Sequence, residues 1–374
     1  MVIPEPIQIN PLSFSKGTKR VCKLCGKGAK YMCPSCRVVF YCSKEHHKTD
    51  YIGVHSIVCS YLAQLRGEPP EITSEAQRKD YEEKMRKIKE KCRAEAVNQA
   101  SAFLSRQEYV QALPGARLSL SLARELFDPS SPQLVPAYLQ VGEAAMGRGY
   151  LELAETALAS ARWIILQHSS VLHTSEPVFS DMDDPKVQAL VRLRGKLHRQ
   201  TGKLHAFQKD FKSAIIETAH DTYLSALSSG GPDSAHTAVA FCHLGNLFLK
   251  TGENKKSVKF FDKAAMFLRK ALDKTIFDEE EFPLEGGEAA EPRVMLERLA
   301  QLQKKNGDKE RAGKMFVVLG CLALVTGTPE ERGDAYSKTV TGVDILREVL
   351  DEDSDDMKWA IRCCEYVKKR CGAR

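Results

Sequence analysis

Cysteine and histidine run through residues 22–59 as Cys22-x2-Cys25-x7-Cys33-x2-Cys36-x5-Cys42-x3-His46-x8-His55-x3-Cys59. No other stretch limits the fold so tightly. Eight side chains in four pairs are enough to fill two tetrahedral zinc sites. Six of the twelve cysteines lie here, and without a secretion signal CxxC clustering reads as metal ligation rather than disulfides. Each CxxC offers two thiolates from a tight turn. The later pairs, spaced i,i+4, share a face wherever they lie on a helix. On a helix, residue 46 sits about 40° round from Cys42 and residue 47 about 140°. His46 is therefore the expected ligand, and His47 is expected to point outward.

The same spacing bears on how the pairs combine. If Cys22/Cys25 and Cys33/Cys36 held one ion, a seven-residue gap would have to fold back on itself, and zinc ribbons leave longer gaps. A crossed arrangement is easier. Cys22, Cys25, Cys42 and His46 then take one Zn2+, while Cys33, Cys36, His55 and Cys59 take the other. So short and polar a segment is expected to draw much of its folding free energy from the metal.

This order, together with RVVFYCSKEHHKTDY at 37–51, resembles the MYND zinc finger. The resemblance implies the same crossed pairing, with one departure: the sixth ligand, commonly cysteine in that family, is His46 here. It also implies a module that contacts proteins, often at proline-containing peptides, rather than reading DNA. With four protein ligands per ion, both zincs are expected to be structural.

Residues 1–50 carry nine Lys/Arg against three Asp/Glu, a net +6 that equals the charge of the whole chain. A compact basic module suits an acidic partner, or simply solvates its lysines. The longest apolar run, FVVLGCLALV at 316–325, has ten residues, about half of a membrane span. The expectation is a soluble intracellular chain with no leader. Cys92, Cys242, Cys321, Cys363, Cys364 and Cys371 are scattered and read as small buried apolar residues.

Beyond the finger the pattern is helical and repetitive. A Pro-containing hinge, RGEPPEIT, leads into a segment opening at Ser74 and running to Arg106, charged in its first half and expected to project into solvent. FCHLGNLFLKTGENKKSVKFFDKA (241–264) follows the tetratricopeptide (TPR) scheme at Phe241, Leu244, Gly245, Phe248, Ser257 and Phe261. YLQVGEAAMGRGYLELAETALASA (138–161) repeats the frame at Gly142 and Ala154. Weaker copies fall at Ala100/Ala112 and Ala300/Ala312. A stretched copy is read from Gly195 to Ala214, nineteen residues instead of twelve.

The fold expected is all-α, a TPR-like α-solenoid behind a small double-zinc finger. Its parts are an N-terminal extension (1–18), the finger (19–62), a hinge and charged helix (63–93), repeats (94–276), an acidic loop (277–293), and C-terminal helices with a cap (294–374). The acidic loop holds seven acids and one base and reads as solvated. The other long connector is 168–186.

No G-x-S-x-G, Walker A, G-x-G-x-x-G or H-E-x-x-H string occurs. His198 and His205 share a helical face, but no acid or cysteine joins them at ligand spacing along the chain. Lysine methyltransferases that combine MYND and TPR-like parts need an Asn-His motif, and the chain contains no Asn-His dipeptide. The expectation is a non-enzyme. The whole-chain combination, with QLVPAYLQVGEAAMGRGYLELAETALASARW at 133–163, resembles ciliary MYND–TPR proteins. That resemblance implies a place in the cytoplasm and ciliary axoneme beside a second TPR protein. An inner-arm axonemal dynein heavy chain and the doublet microtubule would be the further partners, with no nucleic acid or membrane. The alternatives are a nuclear or cytosolic cofactor that binds proline-containing motifs, and a TPR co-chaperone using Lys250, Lys255 and Lys256.

Overall fold

A computed structural model describes residues 3–10, 19–67, 70–168, 184–229, 231, 233–284, 286–327 and 329–371. Most of the 168–186 connector lies outside these. The chain divides into two compact units, Met1–His168 and Ser169–Arg374.

The first unit begins with the finger. Strands β1 (Ile7–Gln8), β2 (Tyr31–Met32) and β3 (Phe40–Tyr41) pair antiparallel in that order. Ile7 faces Met32, and Tyr31 faces Tyr41. The expected N-terminal extension thus supplies an edge strand to the finger. A helical rod follows, made of α1 (Lys44–Asp50), a π-helical turn (Tyr51–His55) and α2 (Ser56–Arg66).

The finger does not stand alone. Its buried Val39, Tyr41, Val54, Val58 and Leu62 share one apolar cluster with Cys92 and Ala96 of α3 (Glu75–Ser105) and with Leu118 and Leu122 of α4 (Tyr109–Leu126). Gly53, in the π-helical turn, is what allows this approach. A Cβ there would sit 2.6 Å from the Gln111 carbonyl oxygen of α4. Arg117 of α4 also donates a 2.7 Å hydrogen bond to the Leu24 carbonyl. Packing against α3 and α4 therefore helps to hold the finger in shape.

Ser74 starts α3 with a capping box, its hydroxyl accepting from the Gln77 N–H while the Gln77 side chain accepts from Ser74 N. The first buried residue of this helix is Cys92. Residues 75–91 lie in solvent or at the edge, as their charge pattern predicts. The helix runs unbroken through residue 93, where the sequence placed a boundary.

From α3 onward the helices pack as adjacent pairs, the arrangement of helical repeats. The first unit holds α3/α4 and α5 (Val135–Gly147)/α6 (Leu151–Gln167). The second holds α7 (Pro185–Phe207)/α8 (Phe211–Ser228), α9 (Ala235–Lys250)/α10 (Asn254–Phe277) and α11 (Gly286–Lys305)/α12 (Lys309–Thr326), then α13 (Pro329–Arg347) and α14 (Asp355–Cys371).

One turn recurs in the first five pairs. A residue with positive φ stands at Gln107, Gly149, Lys209, Gly252 and Gly307. The N–H of each, and of the residue after it, reach back to the helix-end carbonyls at 2.9–3.3 Å, as from Gln107 to Leu104 and from Glu108 to Phe103. This is a Schellman C-cap. The residue after it is already the N-cap position of the next helix, as at Glu108 and Asp210, and the Asp210 side chain accepts from the Ser213 N–H.

Seven residues before each left-handed position lies a small residue, with another twelve further on: Ala100/Ala112, Gly142/Ala154, Gly202/Ala214, Gly245/Ser257 and Ala300/Ala312. At Gly245 the Ser257 hydroxyl donates to the glycine carbonyl at 2.8 Å. The α7/α8 pair therefore keeps the ordinary spacing of twelve through Gly202. Gly195 lies two turns earlier, facing Asp221 and Leu224, so reading a nineteen-residue stretch from it was a misalignment.

A second correction falls in residues 277–293. Helix α11 starts at Gly286, so half of the expected acidic loop is helical. Glu288 pairs with Lys196 of α7 at 2.8 Å, and Glu291 with Lys203 of α7 at 2.6 Å. Those lysines offset the charge that made the segment look like a loop. The apolar run 316–325 lies in α12, buried on nearly every side, as expected for a helix without a polar face. No helix among the described residues is long and apolar enough to cross a membrane. Of the scattered cysteines, Cys92, Cys242, Cys321 and Cys363 are fully buried, while Cys364 and Cys371 are half-exposed.

Candidate metal centres

Two turns of the same design present the CxxC pairs. In the first, Gly26 has φ +72° and its N–H donates to the Cys22 carbonyl at 2.9 Å. In the second, Arg37 has φ 56° and donates to the Cys33 carbonyl at 3.1 Å. In both, the residue four beyond the first cysteine turns left-handed and directs the thiolates to one side.

The remaining ligands come from the end of β3 and the helical rod. Cys42 is not helical, because it directly follows β3 and precedes Ser43, the N-cap of α1. The Ser43 hydroxyl accepts from His46 N at 3.3 Å, which fixes His46 in the first turn of α1. His55 and Cys59 do lie four apart on a continuous rod, across the junction of the π-helical turn and α2.

Cys22, Cys25, Cys42 and His46 converge, and so do Cys33, Cys36, His55 and Cys59, with the ligand atoms of each set within 4.8 Å of one another. In the first set His46 Nδ1 lies 3.4 Å from Cys22 Sγ and 3.2 Å from Cys42 Sγ, and Cys25 Sγ is 3.5 Å from Cys42 Sγ. In the second, His55 Nε2 lies 3.2 Å from Cys33 Sγ and 3.6 Å from Cys36 Sγ, and Cys33 Sγ is 3.9 Å from Cys59 Sγ.

Zn–S and Zn–N bonds of about 2.3 and 2.05 Å at tetrahedral angles put ligand atoms about 3.8 Å apart for S···S and 3.6 Å for S···N. The edges, 3.2–3.9 Å, lie within about 0.4 Å of those values and mostly on the short side, so both sets fit zinc. The crossed pairing is the one observed. Histidine reaches the ion through Nδ1 in the first set and Nε2 in the second.

The surroundings of the two sets differ. Cys25 is exposed, and Cys42 and His46 are half-exposed, whereas Cys33, Cys36 and His55 are buried. In the buried set Cys33 is held far below the usual thiol range by hydrogen bonds from Cys36 and His55, and Cys36 is pushed up in turn. Zinc takes all of these sulfurs as thiolates, so loading the finger releases protons.

His47 is a correction. It was expected to point outward but is only 1% exposed, its ring edge-on to Tyr41 with centroids 5.0 Å apart. It belongs to neither ligand set. The reason is that α1 starts at Lys44, so a rotation counted from Cys42 does not apply. The inward face of this short helix carries His47 and Asp50. Burial holds the His47 imidazole below its ordinary pKa.

Behind the second set lies a shell that no ligand spacing signals. The Asp50 carboxylate is buried and accepts a 2.7 Å hydrogen bond from the Tyr41 hydroxyl. Its Oδ2 faces His55 Nδ1, the ring nitrogen turned away from the sulfurs, at 3.7 Å. Carboxylates so placed orient a metal-bound imidazole and raise its basicity. Burial pushes the Asp50 carboxyl and the Tyr41 phenol up.

Among solved structures, the chain is similar to that of "Crystal structure of BtubC (BKLC) from P. vanneervenii", at 14% identity and TM-score 0.38, covering 74% of this chain and 91% of that one. Residues 22–59 match the family model described as the MYND finger, and with both ligand sets in place this segment is a MYND double zinc finger.

Proposed function

We propose that the chain is a non-catalytic adaptor of the ciliary axoneme that helps assemble or anchor an inner dynein arm on the doublet microtubule. The observation that carries the adaptor reading is that four protein ligands complete each metal set. Neither ion keeps a coordination position for substrate, as a catalytic zinc would. A MYND finger implies protein partners, and helices packed in adjacent pairs make extended surfaces of the kind that hold protein segments. The TPR scheme at 241–264 and the ciliary likeness at 133–163 support the finer reading, with a second TPR protein and a dynein heavy chain as partners.

The test is a pull-down from demembranated axonemes. Recovery of inner-arm dynein with the chain is expected, and its absence from that fraction would sink the axonemal reading. Nuclear retention without ciliary enrichment would favour the cofactor alternative. The co-chaperone alternative has less support, since Lys256 is already bound to Glu253 at 2.5 Å and lies over the Phe248 ring.

A further inference from the structure

Helices α7 and α8 meet as a hairpin in which residues equidistant from the turn face each other. Gly202 lies against Ala214 and Gly195 against Asp221, and one residue off that register His198 meets Glu217. His198 Nδ1 and Glu217 Oε2 are 2.5 Å apart. One helical turn beyond Glu217, His220 turns its ring edge-on to His198 with centroids 5.2 Å apart. Donor atoms of all three residues lie within 4.8 Å of one another.

We propose that His198, Glu217 and His220 form a third metal site, for a divalent first-row transition ion such as Zn2+, separate from the finger. Two imidazoles and one carboxylate suit Zn2+, Ni2+, Co2+ or Fe2+, whereas Mg2+ and Ca2+ prefer all-oxygen shells. Glu217 and His220 stand i,i+3 on α8, the Glu-x-x-His spacing by which one helix gives two ligands to one ion. His198 supplies the third from across the hairpin.

The short His198–Glu217 contact is a hydrogen bond, and its proton occupies the place the ion would take. Metal donors sit about 3.3 Å apart around a tetrahedral ion, so the pair opens by less than 1 Å on exchange. His198 and Glu217 are 15% and 17% exposed at the side chain and His220 is exposed, so an ion can enter from solvent. Three protein ligands leave at least one position for water or for a donor from another protein. An ion pair alone would need only His198 and Glu217. The convergence of His220 is what points to a metal.

Untagged full-length protein with the finger loaded to two zinc equivalents would be titrated with Zn2+, then with Ni2+, by calorimetry and by metal analysis after equilibrium dialysis. A third equivalent is expected. His220→Ala, an exposed change, should weaken it by at least the 10–100-fold that even an outer-shell change costs elsewhere, with the circular dichroism unchanged. Glu217→Gln should do the same while leaving the first two equivalents in place. Absence of a third equivalent, or a third equivalent that His220→Ala does not weaken, would overturn the proposal.

Discussion

The Tyr41 hydroxyl donates a 2.7 Å hydrogen bond to Asp50 Oδ2, and the same oxygen lies 3.7 Å from the outward nitrogen of His55. Tyr41 comes from β3 and Asp50 from the end of α1, so one contact ties the strands, the helical rod and the second ligand set together. Asp50→Ala is expected to lower zinc affinity at the Cys33/Cys36/His55/Cys59 set by about 10–100-fold, as loss of an outer-shell partner does elsewhere. The other set should be untouched. Tyr41→Phe should act in the same direction, since it leaves a buried carboxylate short of a donor. Competition with a chromophoric chelator, read as two separate binding steps, checks both.

The two ions should also leave at different rates. Cys25 is exposed, and Cys42 and His46 are within reach of solvent, while three ligands of the second set are buried. A chelator is therefore expected to remove one zinc equivalent rapidly and the second slowly. Cys25→Ser should speed the fast phase and leave the slow one unchanged. A metal content of one per chain in freshly prepared protein would contradict the double site.

Metal chemistry explains why so much of the finger was legible. Tetrahedral coordination ties ligand identity to spacing, and the crossed pairing followed from the short gap between Cys25 and Cys33. What stayed hidden depended on where a helix begins. His47 turned inward because α1 starts at Lys44, after Cys42, and because Tyr41 offered its ring a buried edge. In the body, Gly195 and Gly202 lie two turns apart on one face of α7, and both approach α8. Only the left-handed residue marks which glycine adjoins the turn, and here that residue is Lys209, where glycine is the usual signal. Residues 286–293 read as a loop because of their acids. Their partners, Lys196 and Lys203, lie about ninety residues earlier in α7, beyond the range of any local pattern. Glu217 was missed beside His198 for the same reason.

The recurrent turn makes an internal comparison. Gly149, Gly252 and Gly307 take the left-handed conformation freely, whereas Gln107 and Lys209 hold it at φ 59° and 65°. An L side chain there costs about 1–2 kcal/mol. Gln107→Gly and Lys209→Gly are each expected to stabilise their unit, by up to about 1 kcal/mol once the greater freedom of glycine in the unfolded chain is subtracted. Gly252→Ala and Gly307→Ala should destabilise by about 1 kcal/mol. Urea unfolding with unchanged m-values would check the signs, and destabilisation by Lys209→Gly would show that its side chain does more than occupy the turn.

Acid should loosen the second unit through a buried pair. His243 of α9 lies 3.4 Å from Glu291 of α11, which also binds Lys203. Burial drives the His243 imidazole down to about 3 from an ordinary 6.5. For Glu291, burial works to raise the carboxyl, but Lys203, His243 and Arg199 outweigh it and bring it to about 2 from 4.5. Both folded values are depressed, so in both cases the unfolded chain binds the proton more readily and stability falls as pH falls. His243 contributes between about pH 6.5 and 3, and Glu291 between about 4.5 and 2. Unfolding measured from pH 7 to pH 3 should therefore show a loss that begins near 6.5. His243→Gln should reduce the slope above pH 4.5 and leave only the Glu291 share of the slope below it, because glutamine does not titrate while the Glu291–Lys203 pair remains. A slope that is the same above pH 4.5 in the variant would show that the histidine is not the group responsible.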